Sequence, residues 1–409
     1  MIIRFIRCII KAVLHNSNAA FLCYKDSGEK TMKFLHLSDL HLGKRVHNFS
    51  MIEEQKYILS QIETIAAEEK VTGVIIAGDV YDKPVPSAEA VTLFDDFLVG
   101  LTKQDISVFV ISGNHDSPER IAFGEKLMRQ SKVYLSPVYN GKIEPITCQD
   151  EFGKVNVYLL PFIKPVHVRH FFETEEIKDY TNALEFVIDK MNVDKEERNI
   201  LVCHQFVTGA ARSESEEISV GGLDNVDSYV FEPFDYVALG HIHGPQNIGE
   251  GKVRYCGTPL KYSFSEAEHK KSVTIVELGE KGSLNITIKE LLPRHDMIKI
   301  KGFFDEITEQ KFYEKIDNEC YVQITLLDEQ DIPNAFGKLA TIYPNLMQMR
   351  YENRRTMENA DLFAKEDCLT MAPDVLFSQF YETVNNQPMT ESQADYMSEM
   401  IEKIWGEME

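Results

Sequence analysis

Ile106–Asp116, ISVFVISGNHD, is apolar at five of its first six positions and then turns polar. An apolar run of that length reads as a fully buried strand. It stops at Gly113, which permits either a positive φ or a close backbone approach. Asn114, His115 and Asp116 then present an amide oxygen, an imidazole and a carboxylate. A polar turn would explain one such run. Four other strand-like runs end in the same way.

Lys33–Ser38 is followed by Asp39-Leu40-His41, and Val71–Ala77 by Gly78-Asp79-Val80-Tyr81-Asp82. Asn199–Cys203 runs into His204, and Asp235–Leu239 into Gly240-His241-Ile242-His243. Read as extended chain, residues i and i+2 point the same way, so Asp39 and His41 are expected to meet one ion while Leu40 faces the core. Binding sites of open α/β sheets lie at the carboxyl ends of strands, where all of these residues fall. The donors are carboxylate, imidazole and amide without sulfur, a set suited to manganese, magnesium or iron. Seven candidate ligands, with His115 set aside, are too many for one ion. We therefore expect two metals with Asp79 bridging them, a spacing of about 3.5 to 4 Å that suits attack on a phosphate ester.

Between these strands, Met51–Lys70 and Ser87–Leu101 have helical apolar spacing, and Ser117-Pro118-Glu119 has the form of a helix start. A Glu-rich helix is expected over Glu173–Met191, and Ala210–Asp227 reads as a loop over a cleft. Val253–Cys256, Ser272–Leu278 and Leu284–Ile288 read as closing strands of a second sheet. The order implies a layered α/β sandwich to about Leu292. A smaller unit follows from Asp296 to about Arg355, with helices over Glu306–Asp317 and Pro333–Thr341. The tail, Asp374–Glu409, has two amphipathic helices split near Pro388.

The 409 residues allow a large core in two or three domains, and 44% apolar with 26% charged residues suits a globular protein. A net charge of -22 argues against gripping nucleic acid by overall basicity. A basic partner could supply phosphate contacts instead. Lys44, Arg45, Arg120, Arg212 and Lys261 lie near the motif loops and are candidates for phosphate contacts, with solvated surface as the alternative. The seven scattered cysteines, with no CxxC pair, suit a reducing cytoplasm. Met32 begins a clean strand, so translation is expected to start there, with residues 1–31 untranslated; a tail or a targeting segment are the alternatives. No run is long and apolar enough for a membrane span.

The ordered set Asp39-x-His41, Gly78-Asp79-x-x-Asp82, Gly113-Asn114-His115-Asp116, His204 and Gly240-His241-x-His243 resembles the calcineurin-like metallophosphoesterase superfamily. The resemblance implies a four-layer α/β/β/α sandwich. It implies that Asp39, His41, Asp79 and His243 hold one ion, and Asp79, Asn114, His204 and His241 the other. His115 would face the substrate as the catalytic histidine, Asp116 would orient it, and Asp82 belongs to the same catalytic set. The stretches LHLSDLHLGK, GDVYDKPVPS, SGNHDSPER, GHIHGPQ and YCGTPLKYSFSEAEHKKSV resemble the DNA-nuclease branch of that superfamily, over about Met32–Leu292. Cys256-Gly-Thr-Pro departs from its commoner Gly-Ser-Pro.

That branch implies a nuclease using two Mn2+, with Mg2+ possible, on double-strand ends and hairpins. It also implies a capping domain (296–355), a homodimer within a heterotetramer, and C-terminal helices (374–409) that dock an ATPase subunit. Two rival readings use the same residues: a phosphodiesterase acting on small nucleotides, and a non-catalytic scaffold.

Overall fold

The computed structural model describes residues 22–23, 31–172, 177–211, 213, 216, 225–249, 251–353, 377–378, 381 and 389–406. The chain divides into two compact units, Met1–Met297 and Ile298–Glu409. In the first unit, strands Met32–Leu37, Gly73–Ala77, Ser107–Ile111 and Val133–Leu135 pair in parallel as consecutive neighbours. Helices Ile52–Glu68 and Ala88–Lys103 join the first three as crossover connections. Ser87 caps the second helix by accepting the Ala90 amide.

Strands Gly153–Leu160, Arg198–His204, Tyr236–Gly240 and Val253–Tyr255 form the parallel centre of a second sheet. Ile146–Asp150, on one side, and Gln246–Ile248, on the other, add antiparallel edges. Leu22–Cys23, from the segment expected to be untranslated, runs parallel to Ile146–Asp150.

The sheets face each other across an apolar layer. Phe34, Ile75 and Phe109 from one sheet meet Val157, Ile200 and Tyr236 from the other. Alternation along each strand turns the intervening residues outward. Leu201, Cys203 and Leu239 thus pack with Leu184, Val187 and Ile188 of helix Tyr180–Lys190. The result is the expected four-layer α/β/β/α sandwich, with both sheets ending their parallel strands at one edge.

Some expectations need correction. Ser272–Leu278 and Leu284–Glu290 do not close the second sheet. They form a hairpin on the first, with Ser272–Leu278 antiparallel to Met32–Leu37; strand order along the chain carries no record of which sheet a strand joins. The Glu-rich helix is shorter: Asp179 accepts the Asn182 amide at 2.8 Å and starts it at Tyr180, while Pro165 starts a separate helix, Pro165–Phe171. The helix start read at Ser117-Pro118-Glu119 is present: Ser117 accepts the Arg120 amide and caps a helix spanning Pro118–Ile121.

The second unit has strands Met297–Gly302, Tyr321–Leu326 and Leu346–Tyr351 in one sheet, with helix Ala335–Ile342. The helix expected over Glu306–Asp317 is two short ones, Phe304–Ile307 and Gln310–Tyr313. In the tail, Glu391–Gly406 is helical with Tyr396 and Met400 exposed; nearly all of the other tail helix lies outside the described residues. No helix among the described residues is long and apolar enough to cross a membrane.

At the end of the sandwich where the parallel strands begin, a buried ion pair ties the sheets together. Arg198, in the second sheet, pairs with Asp150 and donates to the carbonyls of Leu278 at 3.2 Å and Gly279 at 3.0 Å on the first. Asp150 also accepts the Met32 amide at 2.8 Å. Removing one partner of such a pair leaves an uncompensated buried charge. Asp150→Ala is expected to cost about 3 to 5 kcal/mol in urea unfolding, the usual range for breaking a buried pair.

Candidate metal centre

The five strand-end motifs meet at one edge, and left-handed backbone shapes their loops. Asp39 (φ 53°), His41 (φ 45°), Asp79 (φ 50°) and His241 (φ 101°) all occupy a region that non-glycine residues rarely adopt. Asp39 and His41 do come together with Leu40 buried, but through this left-handed turn and not the extended chain read from the sequence. Main-chain bonds hold the turn in register with its neighbour: Asp39 N to Gly78 O (3.0 Å), His41 N to Asp79 O (3.0 Å) and Leu42 N to Val80 O (2.9 Å).

Gly113 acts by close approach and not by a positive φ, since a β-carbon there would collide with the Asp79 carboxylate. A β-carbon at Gly240 would likewise strike the Ala77 carbonyl.

All seven expected ligands converge. Nε2 of His41 and Nε2 of His243 face each other at 3.2 Å, and Asp39, His41 and His243 offer ligand atoms within 4.8 Å of one another. The Asp79 carboxylate lies between two groups, its Oδ2 3.8 Å from His41 Nε2 and 3.3 Å from His204 Nε2. On the far side, Asn114 Oδ1 is 3.0 Å from both His204 Nε2 and His241 Nδ1. His115 also falls within ligand distance of His41 and Asp79.

Buried oxygen and nitrogen donors on both sides of one carboxylate, with imidazole nitrogens turned toward each other, fit divalent cations of the manganese, magnesium or iron type.

Charge follows burial. Burial pushes Asp39 up to about 6, although His204 and His243 oppose this. Burial and then the charge of Asp79 push Asp116 up to about 7. Burial also works against the charge of Asp79, yet His204 and His41 hold it well below the usual carboxylate range. Burial disfavours charge on His204, but Asp79 raises it to about 9. Cations entering the centre displace such protons.

The Asp116 carboxylate accepts the amides of Val80 (3.1 Å), Tyr81 (2.9 Å) and Gly113 (2.9 Å), so it latches two motif loops together. His115 Nδ1 lies 3.2 Å from the main-chain carbonyl of Asp82, whose carboxylate pairs with Lys44 at 2.8 Å. Of the basic residues considered for phosphate contact, Lys44 is thus engaged. Lys261 pairs with Asp296 at 2.7 Å, Arg45 bonds the Asn48 carbonyl, and Arg212 lies outside the described residues.

Several supporting residues escape the sequence reading. Gln55 donates to the His41 carbonyl at 2.7 Å and accepts the Gly43 amide at 2.9 Å. Tyr262 donates to the Leu40 carbonyl at 2.5 Å. Glu216 accepts the His243 amide at 2.7 Å, which pins a point of the loop expected over the cleft. These are polar residues on helices and connections, and only their burial marks them.

A family model described as calcineurin-like phosphoesterase matches residues 32–245, more than half of the chain, and one described as type 5 capsule protein repressor C-terminal domain matches residues 293–385. The chain is 30% identical over 377 residues to the SbcD subunit of nuclease SbcCD from Staphylococcus epidermidis, covering 91% of this chain and 99% of that one. Among solved structures, a dimetal phosphatase from Danio rerio is 11% identical, with 65% of this chain and 98% of that chain covered at a TM-score of 0.39. A protein from Thermus thermophilus is 12% identical, with 63% and 99% covered at a TM-score of 0.36.

Because a methyl group at position 113 would displace Asp79, Gly113→Ala is expected to weaken metal binding roughly 10- to 100-fold, the range seen when a ligand's support is disturbed. Titration with Mn2+ followed by calorimetry measures it.

Proposed function

The chain belongs to the calcineurin-like phosphoesterases, in the branch of the SbcD nucleases, and on that premise we propose that it is the nuclease subunit of an SbcCD-type complex. In this reading it works in the cytoplasm with two Mn2+ ions as an exonuclease on double-stranded DNA and an endonuclease on single strands and hairpins, in repair, recombination and replication. The observation that carries it is the convergence of Asp39, His41, Asp79, Asn114, His204, His241 and His243 around one edge of the sandwich.

Asp39, His41 and His243 with Asp79 would hold one ion, and Asn114, His204 and His241 with Asp79 the other. Ions held there supply Lewis acidity toward a phosphodiester and lower the proton affinity of water.

The chain's own residues then do the following. Since a carbonyl can only accept, His115 Nδ1 donates to the Asp82 carbonyl, which turns Nε2 to the opposite side of the ring. With Nδ1 bonded to Asp82, His115 would pass a proton from Nε2 to the leaving oxygen as water attacks phosphorus and the P–O bond breaks, while the attacking water gives up one proton to bulk solvent. The neutral ring that remains keeps its bond to Asp82. Asp116 holds the two loops that carry Asp79 and His115 at a fixed separation.

The second unit serves as a capping domain, and the tail helices as the docking surface for the ATPase. A small nucleotide substrate needs neither, which favours DNA. Tyr57, Val91 and Val99 are exposed on the two helices of the first sheet and suit a homodimer face. With a net charge of -22 and Lys44 and Lys261 internally paired, firm DNA engagement is assigned to the complex with its partner.

End-labelled duplex DNA in manganese, with and without the ATPase partner and ATP, tests the reading. Cutting that Asn114→Ala abolishes and the partner enhances is the expected result. His115→Ala should retain both ions and cut about 10²- to 10⁴-fold more slowly, the usual weight of general acid catalysis. Absence of DNA cutting in both conditions, with a small phosphodiester still hydrolysed, would instead make this a small-nucleotide enzyme.

A further inference from the structure

Each of the two histidines that face one another in the Asp39 group has a carboxylate behind it, and each carboxylate is held by a lysine. His41 Nδ1 lies 3.8 Å from Asp82 Oδ1, which Lys44 holds at 2.8 Å. His243 repeats the arrangement: Nδ1 lies 3.8 Å from Glu266 Oε1, and Lys271 pairs with Oε2 of the same carboxylate. Lys271 also donates to the His243 carbonyl at 3.0 Å and to Thr258 Oγ1 at 2.7 Å.

The second arrangement is the more deeply buried. The Glu266 and Lys271 side chains are 0% and 3% exposed, against 15% and 18% for Asp82 and Lys44. A fully buried ion pair is a poor source of stability compared with an apolar pair of the same volume. Its place directly behind a metal ligand gives it another use.

The other ligand group is supported differently. His204 Nδ1 donates to the main-chain carbonyl of Ala77 at 2.8 Å. A carbonyl selects the same tautomer as a carboxylate does, but a carboxylate adds negative charge and makes the opposite nitrogen a stronger donor.

We propose that Glu266, anchored by Lys271, is a positioning residue that fixes His243 with Nε2 toward the ion of the Asp39–His41–His243 group, so that this ion is bound more tightly than its neighbour and loads first. The inference rests on the two-ion reading above.

Manganese titration of the full chain, by calorimetry and by electron paramagnetic resonance of the free ion, separates the two. The wild type is expected to show two classes of site, with His204→Ala depleting the weaker one. Glu266→Gln keeps the shape and an acceptor for Lys271. It is expected to weaken the tighter class roughly 10- to 100-fold and spare the other. Half-saturating manganese for hydrolysis should rise while kcat at saturating manganese is kept, a split that a merely structural role would not produce. The double variant Glu266→Gln/Lys271→Met, which leaves no unpaired charge, is titrated beside it and should behave alike. Wild-type affinity at both sites in a folded variant, or equal weakening of both sites, overturns the role of Glu266. So does failure of both variants to fold, which would assign the pair to the fold alone. A wild-type chain that binds no manganese or a single ion overturns the two-ion reading instead.

Discussion

A carboxylate buried between histidines from two different sheets is the constraint on which the first unit depends. Asp79 ends a strand of the first sheet, while His204 reaches it from the second. Neighbouring imidazoles favour the charged form of the carboxylate against burial, and those from the second sheet stay in place only while the sheets remain docked. Packing and chemistry are therefore one problem here. The apolar layer of Phe34, Phe109, Ile200 and Tyr236 sets the distance between sheets, and that distance sets whether ligands from both can reach the same atoms.

The opposite end of the sandwich carries the complementary device. Arg198 and Asp150 join the sheets where the parallel strands begin, as the candidate ligands join them where those strands end. An apolar layer alone has no direction and permits sliding; polar contacts at both ends define a single register. The motif end gathers buried carboxylates and imidazoles that offer donor atoms to cations, whereas the Arg198 end pairs its own charges.

Much of this is legible in the sequence because period and punctuation agree there. Val74–Ala77 and Val108–Ile111 are apolar without interruption, as strands covered on both faces must be, and a glycine and a polar cluster stand at the end of each. The order of Asp39, His41, Asp79, Asn114, His204, His241 and His243 along the chain is enough to mark the residues that the fold brings to one edge. Other features depend on what is distant in sequence. The hairpin Ser272–Glu290 returns to the first sheet by pairing with residues about 240 positions earlier. Gln55, Glu216, Glu266 and Lys271 look like ordinary helix and loop polar residues until their burial is known. The turn at Asp39–His41 is illegible for a different reason: local pattern reports which residues are polar, and aspartate and histidine occur in extended chain as readily as in a left-handed turn.

That left-handed backbone changes what a substitution at these positions measures. Aspartate and asparagine tolerate positive φ better than most side chains, because their short polar groups bond locally. Alanine at Asp39 or Asp79 removes a candidate ligand and also changes the residue at a positive-φ position, so its effect mixes chemistry with backbone conformation. Asparagine at either position keeps the backbone preference and alters only the charge and one donor atom. The difference between the two variants at one residue thus combines the conformational preference of the loop with the one side-chain oxygen that asparagine keeps.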